Sequence, residues 1–154
     1  MQKNRVIIIG AGAAGLMAGV FAARNGADVT ILERNEKAGK KIYITGKGRC
    51  NVTNTADADN FMAHILRNPR FMYSALDFLD NHATMELFES LGVPLKVERG
   101  NRVFPVTDKS SSVLECLRNV MHRSGVQVKT GRVQQILTDD GRQILVVGNM
   151  LCKH

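Results

Sequence analysis

The chain of 154 residues has no tryptophan, only 5% aromatic residues and only three cysteines. Cys50, Cys116 and Cys152 are odd in number, widely spaced and without a CxxC pair. This pattern argues against a disulfide framework or a zinc site and fits a reducing, cytoplasmic location. The four histidines show no metal-ligand spacing either, so the sequence predicts no metal site.

Long hydrophobic runs are also missing, and no segment approaches the length that a membrane-spanning helix needs. The first predicted strand follows Met1 almost directly, which predicts no secretory signal. Hydrophobic residues make up 44% of the chain and charged residues 23%, which is ordinary for a soluble globular protein. The length suits one domain with a real core.

The net charge is +7, and it has two interpretations. The favoured one is a solvated basic surface together with residues that face an anionic cofactor. The other is a nucleic-acid partner, but few aromatic side chains are present to stack on single-stranded bases. Most basic residues are scattered, apart from a cluster at Lys37, Lys40, Lys41, Lys47 and Arg49.

A glycine fingerprint, Gly10-Ala-Gly12-Ala13-Ala14-Gly15, follows the apolar run Val6 to Ile9. The run is typical of a fully buried parallel strand. Gly10 permits a tight turn, Gly12 lets a pyrophosphate approach the backbone, and Gly15 allows close helix–strand packing. The following helix would present free N–H groups and its positive dipole end to the phosphates.

The next predicted strand, Asp28 to Leu32, ends in Glu33, whose carboxylate can accept from both hydroxyls of a ribose. The helix from Ala13 to Asn25 and a C-terminal Gly26 complete a βαβ unit. The alternative is a βαβ unit with a merely tight turn, but the complete context favours dinucleotide binding. The fingerprint does not separate FAD from NAD, since both contain an adenosine ribose.

The rest of the chain alternates helical and strand patterns. The long segment from Arg34 to Asn60 is predicted to be an ordered ligand loop, because its middle is too apolar for disorder. Asn68-Pro69 and a Ser112/Glu115 capping box predict helix starts. Three further helices are predicted: one with apolar spacing over Phe71–Leu79, one over Ala83–Leu91 and one reaching Ser124. A third parallel strand is predicted over Val126–Lys129. Two hairpins are predicted, one of Leu95–Glu98 and Arg102–Phe104, and one of Val133–Thr138 and Gln143–Val147 around Asp139-Asp140-Gly141.

A second motif runs from Gly39 to Asn54 and contains Thr45-Gly46-Lys47-Gly48-Arg49-Cys50-Asn51. Together with the glycine fingerprint and Arg102-Val-Phe-Pro105, it resembles the BaiN/RdsA-type NAD(P)/FAD-dependent oxidoreductases, a family of aminoacetone oxidase-like flavoproteins. The resemblance covers about Val6 to Val147. It implies an α/β fold: a Rossmann-like FAD/NAD(P)-binding domain with a parallel sheet plus a β-hairpin or meander.

The resemblance also implies cofactor-binding residues. The fingerprint and the acid would hold the adenosine and pyrophosphate of FAD, the second motif would lie beside the ribityl chain and flavin ring, and the Val133 backbone would meet the adenine. The implied residues are Gly10, Gly12, Ala13, Ala14, Gly15, Glu33, Arg34, Lys41, Thr45, Gly46, Gly48, Arg49, Cys50, Asn51 and Val133.

Several of these residues have a structural alternative. Arg49 would either stabilise charge on a reduced flavin or pair with a carboxylate. Cys50 is more simply a packed thiol than a redox group. Asn51 and Asn54 are either ligands or turn formers. Phe104 and Pro105 are interpreted as core and turn rather than substrate contacts.

The resemblance implies NAD(P)H as electron donor and an unsaturated carbon–carbon bond, in a small molecule or in a uridine of ribosomal RNA, as acceptor. No catalytic residue is identified. Because family members are much longer, residues 1–147 are interpreted as the amino-terminal part of the FAD-binding domain and residues 148–154 as a short tail. The substrate domain and a returning FAD-binding segment would be absent. We therefore expect a truncated fold that self-associates, and a non-catalytic fragment is the competing hypothesis.

Overall fold

A computed structural model describes residues 4–139 and 142–148 of the chain. These residues form two compact units. The first unit consists of the amino-terminal segment up to Ile42 and the segment that begins at Leu117. The second unit spans Tyr43–Cys116. The interpretation of residues 1–147 as part of one FAD-binding domain stays a prediction. Within the described part of the chain, no helix combines the length and the apolar character needed to cross a membrane.

The first unit contains a three-stranded parallel sheet in the order β1–β2–β6. All three strands predicted for the parallel sheet are therefore confirmed. Gly26, at φ +82°, follows the first helix as predicted. The elements of this unit are β1 (Arg5–Ile9), α1 (Ala13–Arg24), β2 (Asp28–Glu33), β6 (Gln127–Thr130), β7 (Arg132–Asp139) and β8 (Arg142–Gly148).

Helix α1 packs against one face of this sheet. Leu16 and Val20 of the helix are fully buried, and the Gly19 backbone lies close to the side chain of Ile31. The expectation that β1 is fully buried is wrong, because Ile7 and Ile9 are 46% and 50% exposed. Successive side chains of a strand point to opposite faces, so a helix on one face leaves every second residue in the open.

Strands β7 and β8 form the predicted antiparallel hairpin. Both are longer than the sequence pattern indicates: β7 already begins at Arg132 and β8 extends to Gly148. A register shift between Val133 and Gln135 marks a bulge. The predicted turn at Asp139-Asp140-Gly141 lies partly outside the described residues, since positions 140 and 141 are not among them.

The second unit is built around a small antiparallel sheet in the order β3–β5–β4. The predicted hairpin of β4 and β5 is confirmed. Phe88, Val93, Val103 and Phe104 are buried, so the core interpretation of Phe104 is confirmed. Pro105 was interpreted as a turn residue, but it is fully buried and is the last residue of a strand, where it pairs with Leu95. Its elements are β3 (Thr53–Asn54), α3 (Ala58–Ala63), a 3₁₀ helix (Pro69–Met72), α4 (Tyr73–Phe78), α5 (Asn81–Ser90), β4 (Leu95–Glu98) and β5 (Arg102–Pro105).

Three helix starts differ from the sequence predictions. Asn68 precedes a 3₁₀ turn at φ +48° without a side-chain cap, so the segment 69–78 is two short helices rather than one. Helix α5 begins two residues before Ala83, because the Asp80 carboxylate accepts from the Ala83 N–H at 2.7 Å.

Helix α6 (Ser110–Arg123) is the third case, and the predicted capping box at Ser112 is wrong. The helix begins earlier, at Ser110, and the Ser112 hydroxyl lies 2.7 Å from that of Thr107. The predicted apolar face is confirmed. Its buried members are Val113, Leu117, Val120 and Met121, joined by Leu114 and Cys116.

The long segment after Glu33 is ordered as predicted, but it is not a single loop. It contains helix α2 (Lys40–Ile44) and strand β3, and α3 begins at Ala58. The sequence pattern missed α2 because its five residues are too few to show helical periodicity. Strand β3 has only two residues, and it is defined by pairing with the distant β5.

Candidate functional site

The glycine fingerprint of the first unit forms a tight turn between β1 and α1. Gly10 has φ +96°, and its N–H donates to the Leu32 carbonyl at 2.7 Å. A Cβ added to Gly15 would lie 1.9 Å from the Gly10 carbonyl oxygen. Only glycine therefore allows α1 to approach β1 this closely, which confirms the packing role predicted for Gly15.

The amino-terminal end of α1 is open. Gly12 is the N-cap residue, with extended backbone, and an added Cβ there would meet no atom of the described residues within 4 Å. Ala13 and Ala14 are exposed and small, so their side chains leave the free N–H groups of the first turn accessible. This arrangement fits a diphosphate, because an anion can approach the helix dipole and the backbone without a steric barrier.

Glu33 is buried at the end of β2, beside this turn, and its carboxylate is held by three donors. The Ala11 N–H donates to Oε2 at 2.7 Å, while the N–H and Nδ2 of Asn35 donate to Oε1 at 2.8 and 2.6 Å. Burial alone would raise the pKa of Glu33, but the hydrogen bonds from Asn35 and Ala11 outweigh it and lower the pKa. The carboxylate is therefore charged and oriented, and it can still accept from a ribose hydroxyl.

A cleft of about 500 Å³ lies over these groups. The structure thus brings together the predicted Gly10, Gly12, Glu33, Arg34, Lys41 and Val133. It adds three polar residues that sequence reasoning missed. Arg132 and Lys40 give the cleft further positive charge, and each directly precedes a predicted site residue. Asn35 orients Glu33. Its position two residues after Glu33 was the one signal in the sequence that could have indicated this role. The cleft is lined by Ile9, Gly10, Ala11, Gly12, Leu32, Glu33, Arg34, Asn35, Lys40, Lys41, Gly131, Arg132 and Val133.

The structure places the predicted residues Thr45 to Asn51 in the second unit. Arg49 forms ion pairs with Glu98 and Asp108, and its guanidinium lies 4.2 Å from the centroid of the Phe104 ring. This is the carboxylate pairing that the sequence left open. Proximity of Arg49 to a flavin stays a prediction.

The neighbouring residues of this loop are held by local contacts. Cys50 is buried, and burial raises the pKa of its thiol, which favours the packed-thiol interpretation. With its amide nitrogen facing the carbonyls, Asn51 donates to Val103 and Thr53 at 3.0 and 3.1 Å. The Asn54 side chain bonds both the Gly100 carbonyl and the Ala56 N–H, as a turn former does.

The family described as the HI0933-like protein Rossmann domain matches residues 4–151 of the chain. The chain belongs to this family. The match covers nearly all of the sequence, and it confirms the recognition made from the two glycine motifs. The Rossmann-type α/β fold is confirmed with it.

Two similar proteins are enzymes with assigned names. A 3-dehydro-bile acid delta(4,6)-reductase of Clostridium scindens is 43% identical over 131 residues, which are 83% of this chain and 31% of that enzyme. A ribosomal RNA dihydrouridine synthase of Haemophilus influenzae is 31% identical over 144 residues, 90% of this chain and 35% of that enzyme. The chain therefore spans about a third of the length of these relatives.

Solved structures agree on the fold. Thermovibrio ammonificans THI4 superposes with a TM-score of 0.61 at 15% identity, over 95% of this chain and 47% of that one. A quinol-fumarate reductase gives a TM-score of 0.57 at 19% identity, over 97% of this chain and 30% of that one. At these identities the likeness establishes the shared fold alone.

We predict that Glu33→Ala weakens the binding of adenosine nucleotides by roughly 1.5–3 kcal/mol, the range for hydrogen bonds to a charged group. The test is calorimetric titration with ADP of the wild type, Glu33→Ala and Glu36→Ala. Glu36 is the control, because it is a nearby carboxylate that does not line the cleft. Equal ADP affinity in the wild type and Glu33→Ala would remove Glu33 from the site.

Glu33 should also make stability depend on pH. The pKa of Glu33 in the folded protein lies below its ordinary value of 4.5. Its contribution to the free energy of unfolding is therefore complete at a pH above 4.5 and is lost as the pH falls through the lowered pKa. We expect the difference in free energy of unfolding between the wild type and Glu33→Gln to be largest near neutral pH and to shrink in acid. Urea denaturation along a pH series measures this difference, and a constant difference would contradict the assignment.

Proposed function

We propose that this chain is the FAD-binding portion of a flavin-dependent oxidoreductase. The observation that carries the proposal is the combination, within the first unit, of an open helix N-terminus at Gly12 and a charged, oriented acid at Glu33. The two groups match the two hydrophilic parts of an adenosine diphosphate, its phosphates and its ribose. Membership of a family whose relatives include a reductase supports the redox assignment.

The residues of the cleft have separable tasks in this proposal. The first-turn N–H groups of α1 hold the pyrophosphate, and Glu33 orients the ribose. Ala11 and Asn35 keep Glu33 ionised and fixed, while Arg34, Lys40, Lys41 and Arg132 balance the phosphate charge. Bound FAD would supply a centre that takes hydride from NAD(P)H and passes it to an unsaturated carbon–carbon bond. We identify no proton donor for that step.

A uridine of ribosomal RNA is the second candidate acceptor for the longer enzyme. One relative is named a ribosomal RNA dihydrouridine synthase, and the charge distribution supports a polyanionic partner. The first unit contains thirteen Lys and Arg against five Asp and Glu, whereas the second contains eight against nine. The positive charge is thus concentrated on the first unit, where it is available for phosphates beyond those of the cofactor.

Purified protein distinguishes these assignments. A yellow absorption spectrum and consumption of NADPH with an electron acceptor would support a flavin enzyme. A chain that binds ADP and FAD but turns nothing over would support the non-catalytic fragment. An ADP-ribose analogue with a 2′-phosphate that binds tighter than ADP would indicate NADP, through Arg34, and would contradict the FAD assignment. We also propose a cytoplasmic location, which the sequence supports because its three cysteines are widely spaced and include no CxxC pair.

We also propose that the chain self-associates through β1. In the described residues β1 pairs with β2 alone, and its Ile7 and Ile9 border an apolar cleft of about 660 Å³ that also contains Ile136 and Leu145. Unprotected apolar edges promote strand pairing between molecules. We expect dimers or larger species by light scattering, and a shift to monomer in Ile7→Lys. A monodisperse wild-type monomer would contradict this expectation.

A further inference from the structure

The loop from Gly46 to Cys50 in the second unit has an unusual backbone. Gly46, Lys47 and Gly48 are consecutive left-handed residues with φ values of +60°, +58° and +86°, and Cys50 is left-handed at +62°. Left-handed conformations are unfavourable for residues other than glycine and persist only where the surroundings fix them. The N–H groups of Gly46, Lys47 and Gly48 donate to no backbone carbonyl in the described parts of the chain.

Three charged side chains lie around the one arginine of this loop, and the four residues together form what we call the carboxylate cluster: Arg49, Lys96, Glu98 and Asp108. Arg49 Nε donates to Asp108 Oδ1 at 2.8 Å, and the same guanidinium pairs with Glu98. Lys96 Nζ bridges the two carboxylates, at 2.6 Å from Asp108 and 3.3 Å from Glu98. Two positive and two negative charges alternate, so the cluster is neutral and each charge has two opposite neighbours.

Two further contacts fix the geometry of the loop. The Ser110 N–H, just after the cluster residue Asp108, donates to the Gly48 carbonyl at 2.9 Å. The Arg49 guanidinium lies over the buried ring of Phe104. A planar guanidinium can meet two carboxylates and stack on a ring at the same time, which an ammonium group cannot do. The charge of Arg49 is therefore engaged within the unit.

We propose that Glu98 and Asp108 are positioning residues for the loop, and that Arg49 acts as the planar connector between them rather than as a cation that faces the cofactor. The cluster maintains the left-handed turn and so fixes the positions of the N–H groups of Gly46, Lys47 and Gly48. This inference rests on the proposed function in one respect only, namely that these three N–H groups bind FAD. The fixing of the loop by the cluster stands on the contacts alone.

Limited digestion with trypsin tests the fixing of the loop without any cofactor, because the loop contains cleavage sites after Lys47 and after residue 49. In Glu98→Gln/Asp108→Asn we expect cleavage at these sites about five- to tenfold faster than in the wild type, as local opening becomes easier. Arg49→Lys should behave similarly, since it keeps the charge but loses the planar fork. Asp77→Asn, which changes an exposed aspartate outside the cluster, should cleave as the wild type does.

Cleavage after Arg67 and Arg70, in the same unit, is the internal reference. Faster cleavage at the loop alone supports the proposal. Unchanged cleavage at the loop, or an equal increase at the loop and at Arg67 and Arg70, overturns it. Titration then tests the link to FAD: Asp108→Asn should lower FAD affinity and leave ADP affinity unchanged, and equal FAD affinities overturn that link. Absence of FAD binding in the wild type would instead contradict the proposed function, and the digestion result would stand.

Discussion

Gly15→Ala is expected to destabilise the first unit by about 3 kcal/mol, at the upper end of the cost of overpacking. The new Cβ would lie 1.9 Å from the Gly10 carbonyl oxygen, 3.0 Å from its carbonyl carbon and 3.4 Å from an Ile8 methyl group. The first two atoms are backbone at the turn between β1 and α1, so no side-chain rotation relieves the clash. Either α1 moves away from the sheet or the turn opens. Urea denaturation followed by circular dichroism measures the loss.

Gly19→Ala is the matched control for this result, since both glycines lie in α1. At position 19 the nearest atom is the Cδ1 of Ile31, at 2.8 Å, which is the end of a flexible side chain and can rotate away. Alanine also favours a helix over glycine by roughly 0.5–1 kcal/mol, which offsets the adjustment. We expect near-neutral stability for Gly19→Ala. Equal effects of the two substitutions would show that close packing at Gly15 does not hold the turn.

Gly12→Val should differ from Gly15→Ala in its effect: the protein should keep its fold but lose nucleotide binding. The backbone at Gly12 is extended, with φ −78° and ψ −173°, and any residue adopts it. An added Cβ meets no atom of the described residues within 4 Å, so the expected cost in stability is that of an apolar residue in place of glycine at a helix N-cap, about 1 kcal/mol. The valine side chain would occupy the space that the pyrophosphate needs, and several hydrogen bonds to a charged group would be lost together. The expected loss is roughly 3 kcal/mol or more, about a hundredfold in Kd.

Titration of Gly12→Val with ADP and with FAD measures this loss, and the thermal unfolding of the same sample shows that the fold remains. Gly12→Ala is the graded control. Alanine adds one methyl group at this position and valine adds a larger isopropyl group, so alanine should weaken binding less. If Gly12→Val binds ADP as the wild type does, the phosphates lie elsewhere and the role of the α1 N-terminus is wrong.

The sequence predicts the first βαβ unit well because its signals are local. Gly10 and Gly26 mark turns at which φ is positive, and the apolar runs on either side are short and unambiguous. The close-packing role of Gly15 is predicted from the same spacing, because Gly15 lies in the first turn of α1, where the helix lies close to β1. Glu33 is predicted because a polar residue at the carboxyl end of a buried strand has few structural reasons to be there.

What could not be predicted depends on contacts between distant residues. Arg49 pairs with residues 49 and 59 positions away in the chain, and no local pattern separates this from a role toward a cofactor. The exposure of Ile7 and Ile9 depends on what covers the second face of the sheet, which the apolar run alone does not specify. The start of α6 at Ser110 is missed because Ser112 and Glu115 satisfy a capping pattern that the fold does not use.

The central claim is that the cleft of the first unit binds the adenosine diphosphate half of FAD. The most direct measurement is calorimetric titration of the purified chain with ADP, and with FAD in parallel, for the wild type and Gly12→Val. We predict one ADP bound per wild-type chain and about a hundredfold weaker binding in the variant, with the fold intact by circular dichroism. Wild-type protein that is folded yet binds neither ligand, or a variant that binds both as well as the wild type does, would contradict the claim.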